Sequence, residues 1–144
     1  MKIRILSIGR IKERSAQEWI NEFLKRIQKY CTLEILEIKE SNKKNESEEL
    51  LKRIKDKDFN IVLDLSGRQV SSEELSQVIK NQIMQKDICF IIGGPEGFDS
   101  ELLGKAQFVL NLSRMTLTHQ MARLFLIEQI YRAFTILKGQ KYHK

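Results

Sequence analysis

Three of the chain's seven glycines, Gly93, Gly94 and Gly97, fall within five residues, directly after the apolar run ICFII (88–92). At the carboxyl end of a buried strand, residues without a Cβ let the backbone turn sharply and let a bound molecule approach it closely. A tight turn with no ligand is the ordinary alternative. Downstream, the segment LSRMTLT (112–118) is rich in residues that expose backbone donors and acceptors, and it ends on His119. The glycine spacing is neither GxGxxG nor GxxxxGK[ST], so a pyrophosphate cradle is not indicated and the two segments suit a ligand without phosphates. No serine lies in a GxSxG elbow, which leaves a Ser-His-Asp hydrolase without support. His119 and His143 are far apart, and neither has a cysteine or carboxylate at ligand spacing, so no metal site is expected.

The elements that must position these segments alternate along the chain. KIRILSI (2–8), TLEILEI (32–38), NIVLDL (60–65), ICFII and FVLNL read as short apolar strands. Between them lie helical patterns. Ser15 with Glu18 predicts a capping box opening a helix over about 15–30, with Trp19, Phe23, Leu24, Ile27 and Tyr30 at helical spacing. Ser71 with Glu74 predicts a second, whose apolar face is Leu75, Val78, Ile79 and Ile83. KESNKKNESEE (39–49) has no apolar residue and reads as a mobile loop. Ser66 and Gly67 are expected to break the NIVLDL strand. A short helix is expected around Ser100–Lys105, and a long last helix from about Thr118 to Lys138, closed by Gly139 and followed by QKYHK.

No Asn-Gly hairpin joins any two strands, so the reading is an α/β fold, a mainly parallel sheet flanked by helices, in a single domain over 1–144. Ligands of open α/β sheets bind beyond the strands' carboxyl ends. Three loops meet that condition: Ser66-Gly67, GGPEG (93–97) and LSRMTLTH (112–119). Backbone groups in such loops can read an adenine edge, with Leu63, Leu112, Met115 and Leu117 as apolar flanks.

A chain of 144 residues buries about two-thirds of the surface its unfolded form exposes, so no covalent staple is needed. Cys31 and Cys89 lack CxxC or metal-like spacing, which fits a reducing, cytoplasmic setting. The first ten residues alternate Lys and Arg with apolar residues, and read as neither a signal peptide nor a membrane span. The net charge of +6 is unevenly spread. Residues 1–44 carry 11 basic and 6 acidic side chains, 45–110 carry 8 and 12, and 111–144 carry 6 and 1. Two basic ends brought together would make a face attractive to phosphate backbones; an ordinary solvated surface is the alternative.

Taken together, IIGGPEG (91–97), LSRMTLTHQMAR (112–123), EQIYRAF (128–134) and KYHK (141–144) resemble the SPOUT class of RNA methyltransferases. Within it, the chain is similar to the bacterial enzymes that methylate N3 of a pseudouridine in large-subunit ribosomal RNA. The resemblance implies a C-terminal trefoil knot, S-adenosylmethionine as methyl donor, and a homodimer packed through the last helices. It places the donor on Leu63, Gly93, Leu112, Ser113, Arg114, Met115, Thr116 and Leu117. It also makes His143 the expected base or proton relay, with Tyr142 against the target base; an incidental terminal histidine is the plain alternative. Where many relatives have Pro before the histidine this chain has Thr118, which can cap the helix instead.

Arg114, Arg123 and Arg132 are the basic residues nearest this region. Arg123 and Arg132 are nine apart on one helix and point to roughly opposite faces, one toward a partner and one toward RNA. With so small a basic face, the expected substrate is the assembled ribosome rather than naked RNA. The competing readings are a non-catalytic RNA-binding or ribosome-assembly protein of the same fold, and a small nucleotide-binding regulator.

Overall fold

The computed structural model describes residues 1–144. Five strands form one all-parallel sheet in the order β2-β1-β4-β3-β5. They are β1 (Lys2–Ile8), β2 (Thr32–Ile38), β3 (Phe59–Arg68), β4 (Ile88–Ile92) and β5 (Phe108–Leu110). The helices are α1 (Arg14–Ile27), α2 (Lys43–Arg53), α3 (Ser72–Gln82), α4 (Ser100–Leu103) and α5 (His119–Leu137). None is long and apolar enough to cross a membrane. The α/β fold with a parallel sheet flanked by helices is therefore as the alternation of patterns indicates.

Strand side chains alternate between two cores, as the two-residue period of a pleated strand requires. Ile3 and Ile5 of β1 with Ile88, Phe90 and Ile92 of β4 face the larger core, shared with α1, α3 and α5. Leu6, Ile8, Cys89 and Ile91 face the smaller one, shared with Leu50, Phe98 and Leu102. Because β4 is central and covered on both sides, all five of its residues are buried. That is why ICFII is apolar without interruption. Helix α5 lies between α1 and α3 on the larger core and buries residues on much of its circumference.

Four local expectations need correction. Helix α1 begins at Arg14 with Glu13 as its cap residue and no side-chain cap, so Ser15 and Glu18 make no capping box. Much of the apolar-free stretch 39–49 is the first half of α2. Asn42 accepts a hydrogen bond from the Asn45 amide at 2.8 Å, and Glu46 and Ser47 are buried, so polar contacts replace an apolar stripe there. Strand β3 continues through Ser66 and Gly67 to Arg68, pairing again with Leu110 after an irregularity. Gly67 permits this: a Cβ on it would lie 2.6 Å from the Val109 carbonyl oxygen.

The fourth concerns Arg123, which faces neither solvent nor a free surface. Its guanidinium is buried, pairs with Glu37, and donates to Ser7 Oγ at 2.6 Å and to the Gly9 carbonyl at 2.8 Å. It ties the second turn of α5 to the end of β1. By contrast, the Ser71, Thr118 and Gly139 signals hold. Ser71 Oγ accepts from the Glu74 amide at 3.1 Å, Thr118 Oγ1 accepts from the Met121 amide at 3.2 Å, and Gly139 follows α5 with φ +66°.

Candidate functional site at the carboxyl ends of β3, β4 and β5

The neighbouring carboxyl ends of β4, β3 and β5 open into a cavity of about 530 Å³. Its floor is the turn after β4. Gly97 takes φ +73° and its amide donates to the Gly94 carbonyl at 3.1 Å, closing the turn. A Cβ on Gly93 would stand 2.8 Å from the Phe98 ring, and one on Gly94 would stand 2.6 Å from Glu46 Oε1. The two glycines are thus required by what packs behind them, which leaves the turn's backbone as the cavity surface. Asp99 Oδ1 then caps α4 by accepting from the Leu102 amide at 3.0 Å.

The opposite wall is the loop between β5 and α5. Asn111, whose amide donates to the Arg68 carbonyl at 3.0 Å, accepts from the Ser113 amide through Oδ1 at 3.1 Å. Ser113 Oγ in turn accepts from the Met115 amide at 2.9 Å. Two short side chains therefore hold the loop in successive turns, the usual action of Asn and Ser in such segments. Thr118 then caps α5, its Oγ1 accepting from the Met121 amide.

Of the residues expected at a donor site, Leu63, Gly93, Leu112, Ser113, Met115, Thr116 and Leu117 line this cavity. Arg114 does not line it; its side chain is exposed. Asp64, Phe98, Asn111 and Ala122, outside the loops that the sequence singles out, also line it, as do Pro95, Glu96 and His119 within them. Asp64 lies in the irregular stretch of β3 between Leu63 and Arg68 and accepts from the Ser66 amide at 3.0 Å. Its position in NIVLDL, the one charge in an apolar strand, was the available signal. The cavity lining contains Asp64, Glu96 and His119 but no lysine or arginine.

A second groove of about 590 Å³ adjoins the first, sharing Leu110, Asn111 and Leu112 with it. Ser71, Ser72 and Leu75 of the α3 end, with Phe125, Glu128, Gln129 and Arg132 of α5, form its other wall. Arg132 is its sole cation. Glu128 and Arg132 are one turn apart, and Arg132 Nη2 meets Glu128 Oε1 at 2.6 Å. This pairing, above all, holds the Arg132 guanidinium charged. The i,i+4 spacing in EQIYR was a readable sign of it.

The C-terminal tail docks against this second groove and does not line the first. The Tyr142 hydroxyl donates to Glu128 Oε1 at 3.1 Å, and the ring lies 4.8 Å from the Arg132 guanidinium and edge-on to Tyr131 at 4.7 Å. Burial first, then the Glu128 charge, pushes the Tyr142 phenol pKa up, so it remains a donor. His143 Nδ1 lies 3.1 Å from Arg132 Nη1, and its Nε2 lies 2.6 Å from Glu73 Oε1. Tyr142 and His143 are thus brought together beside Arg132.

The chain matches the family model described as "Predicted SPOUT methyltransferase" over residues 1–143. It is 41% identical to the "Ribosomal RNA large subunit methyltransferase H" of Acetivibrio thermocellus, over an alignment covering all of both chains. Proteins of the same name from Clostridium botulinum (strain Kyoto / Type A2) and Carboxydothermus hydrogenoformans are each 43% identical, again over the whole of both chains. Among solved structures, "a probable methylase family protein from Haemophilus influenzae Rd KW20" superimposes with a TM-score of 0.58 at 14% identity, covering 99% of this chain and 70% of that one. At that identity the likeness concerns the fold.

Proposed function

Because the chain belongs to the SPOUT methyltransferase family, we propose that it methylates large-subunit ribosomal RNA from S-adenosylmethionine, at N3 of a pseudouridine, on the assembled ribosome in the cytoplasm. The observation that carries this reading is the charge of the first cavity: two carboxylates, Asp64 and Glu96, and no cationic side chain in its lining. Such a lining fits a cationic sulfonium and disfavours a polyphosphate, because an unpaired phosphate there would face like charge. The cavity volume is within the range of about 300–1,000 Å³ usual for small-ligand sites. Leu63, Leu112 and Leu117 supply apolar walls, and the turn at Gly93 and Gly94 supplies bare backbone. Leu63, Gly93, Leu112, Ser113, Met115, Thr116 and Leu117 would hold the donor.

When bound, S-adenosylmethionine supplies an electrophilic methyl group, so the protein's own task is to align the acceptor and deal with one proton. The second groove suits the acceptor, since it shares a wall with the first. Arg132 would stabilise the imide anion that forms as N3 loses its proton, through charge held in place before the reaction. Tyr142 would pack on or hydrogen-bond the base, and His143 would take or relay the proton.

The reading includes a homodimer and the trefoil knot. Support for the first is the apolar surface left exposed on α1 and α5, where Trp19, Met121 and Phe125 are 55%, 41% and 42% exposed. Support for the second is the close approach of β3 to β5 at Gly67, where pairing resumes at Leu110 after an irregularity. The test is incubation of the protein with labelled methyl donor and ribosomes from a strain lacking this protein, followed by mapping of the labelled base. One labelled pseudouridine in the large subunit, labelled faster in intact particles than in naked RNA, is expected. No label in any ribosomal RNA would end the proposal.

A further inference from the structure

The tail histidine is held from both sides, by partners whose chemistry leaves one arrangement of its protons. Arg132 has donors only, so His143 Nδ1, 3.1 Å from Arg132 Nη1, must be the acceptor. Glu73 is an ionised carboxylate and accepts only, so His143 Nε2, 2.6 Å from Glu73 Oε1, must carry the hydrogen. The lone pair is therefore on the side of Arg132 and the second groove, and the N–H is on the side of α3.

Resting on the reading above, we propose that Glu73 is a positioning residue for the reaction: it fixes the His143 tautomer so that Nδ1 is the atom receiving the acceptor's proton. The step balances simply. The imide N–H bond breaks, Arg132 Nη1–H leaves the Nδ1 lone pair for the base nitrogen, where the electron pair stays, and the released proton forms a bond to Nδ1. The resulting imidazolium keeps its Nε2–H on the Glu73 carboxylate and later returns the extra proton to solvent. Carboxylate–histidine pairs act this way wherever one ring nitrogen must be kept free and the charged ring stabilised.

Glu73 stands in the first turn of α3 with an exposed side chain, and its other hydrogen bonds are within its own turn. The hydrogen bond from His143 is the largest cause of its lowered pKa. The first turn of α3 suits a carboxylate through the helix dipole, and since an exposed pair contributes little to stability, what the contact with His143 adds is the direction of the ring.

The test uses the whole chain with two variants, Glu73→Ala and Glu73→Gln. Nitrogen-15 spectra of the imidazole report the tautomer, and methyl transfer to ribosomes reports the rate. The wild-type protein should show His143 protonated at Nε2 only. Glu73→Ala should free the ring to leave Arg132, mix the tautomers and lower kcat about tenfold, with the KM for the donor unchanged. Glu73→Gln, whose amide oxygen still accepts from Nε2–H, should restore the tautomer and recover the rate only in part. Unchanged tautomer and kcat in Glu73→Ala would overturn the proposal, as would an altered tautomer with full activity. If the wild-type protein labels no ribosomal RNA, the methyl-transfer reading falls. An Nε2–H signal that Glu73→Ala abolishes would still establish Glu73 as what orients His143.

Discussion

Replacing Gly67 by alanine should cost far more than a loop glycine ordinarily would. A Cβ at this position would lie 2.6 Å from the Val109 carbonyl oxygen, 2.7 Å from its carbon and 2.9 Å from the Leu110 carbonyl carbon. All three are backbone atoms of a paired strand, which no rotamer change can move. The cost therefore belongs at the top of the overpacking range, about 3 kcal/mol. Unfolding entropy near 2.1 cal/mol/K per residue sums to about 300 cal/mol/K for this chain, so the Tm should fall by about 10 °C. Gly139→Ala is the matched control. Its φ of +66° is strained for alanine, but nothing lies within 4 Å of the added carbon. That variant should lose about 1 kcal/mol, or about 3 °C. Thermal unfolding followed by circular dichroism compares the two. Titration with S-adenosylmethionine should further show weaker binding for Gly67→Ala, because β5 leads straight into the loop from Asn111 to Leu117. A Tm for Gly67→Ala no lower than that of Gly139→Ala would refute the close contact of β3 with β5.

Two further outcomes are expected. Arg123→Ala should destabilise the protein by about 3 kcal/mol, the low end for breaking a buried pair because Glu37 is 43% exposed, and chemical denaturation should show it. Burial pushes the thiols of Cys31 and Cys89 each up to about 11, so both should resist alkylation at pH 8 in the native protein and react once it is unfolded. The sign for stability follows. The folded protein favours the neutral thiols, so their contribution is intact below the unfolded thiol value and is lost between about pH 9 and 11, as the unfolded chain ionises first.

What the amino-acid sequence determined by itself was whatever local physics decides. The uninterrupted apolar run 88–92 marked a strand covered on both sides, and it is the central β4. Ser71, Thr118 and Gly139 announced helix ends, because a cap needs only its own side chain and the next turn. The glycine turn and the loop 112–117 could be named as neighbours at one sheet edge, since parallel strands bring their carboxyl ends together.

Only the tertiary structure decided the rest, because the partners come from distant parts of the chain. Helix α2 has no apolar stripe at its start; it forms where Glu46 is buried beside Gly94 and accepts from the Ser41 amide. Spacing placed Arg123 and Arg132 on opposite faces of α5, but the end of β1 determines that Arg123 is the buried one. The tail was legible as a histidine and a tyrosine with unknown neighbours. Glu73, seventy positions away, reaches it through the packing of α3 against α5, and Arg132, eleven positions back, through the return of the tail along α5; together they give its ring a direction.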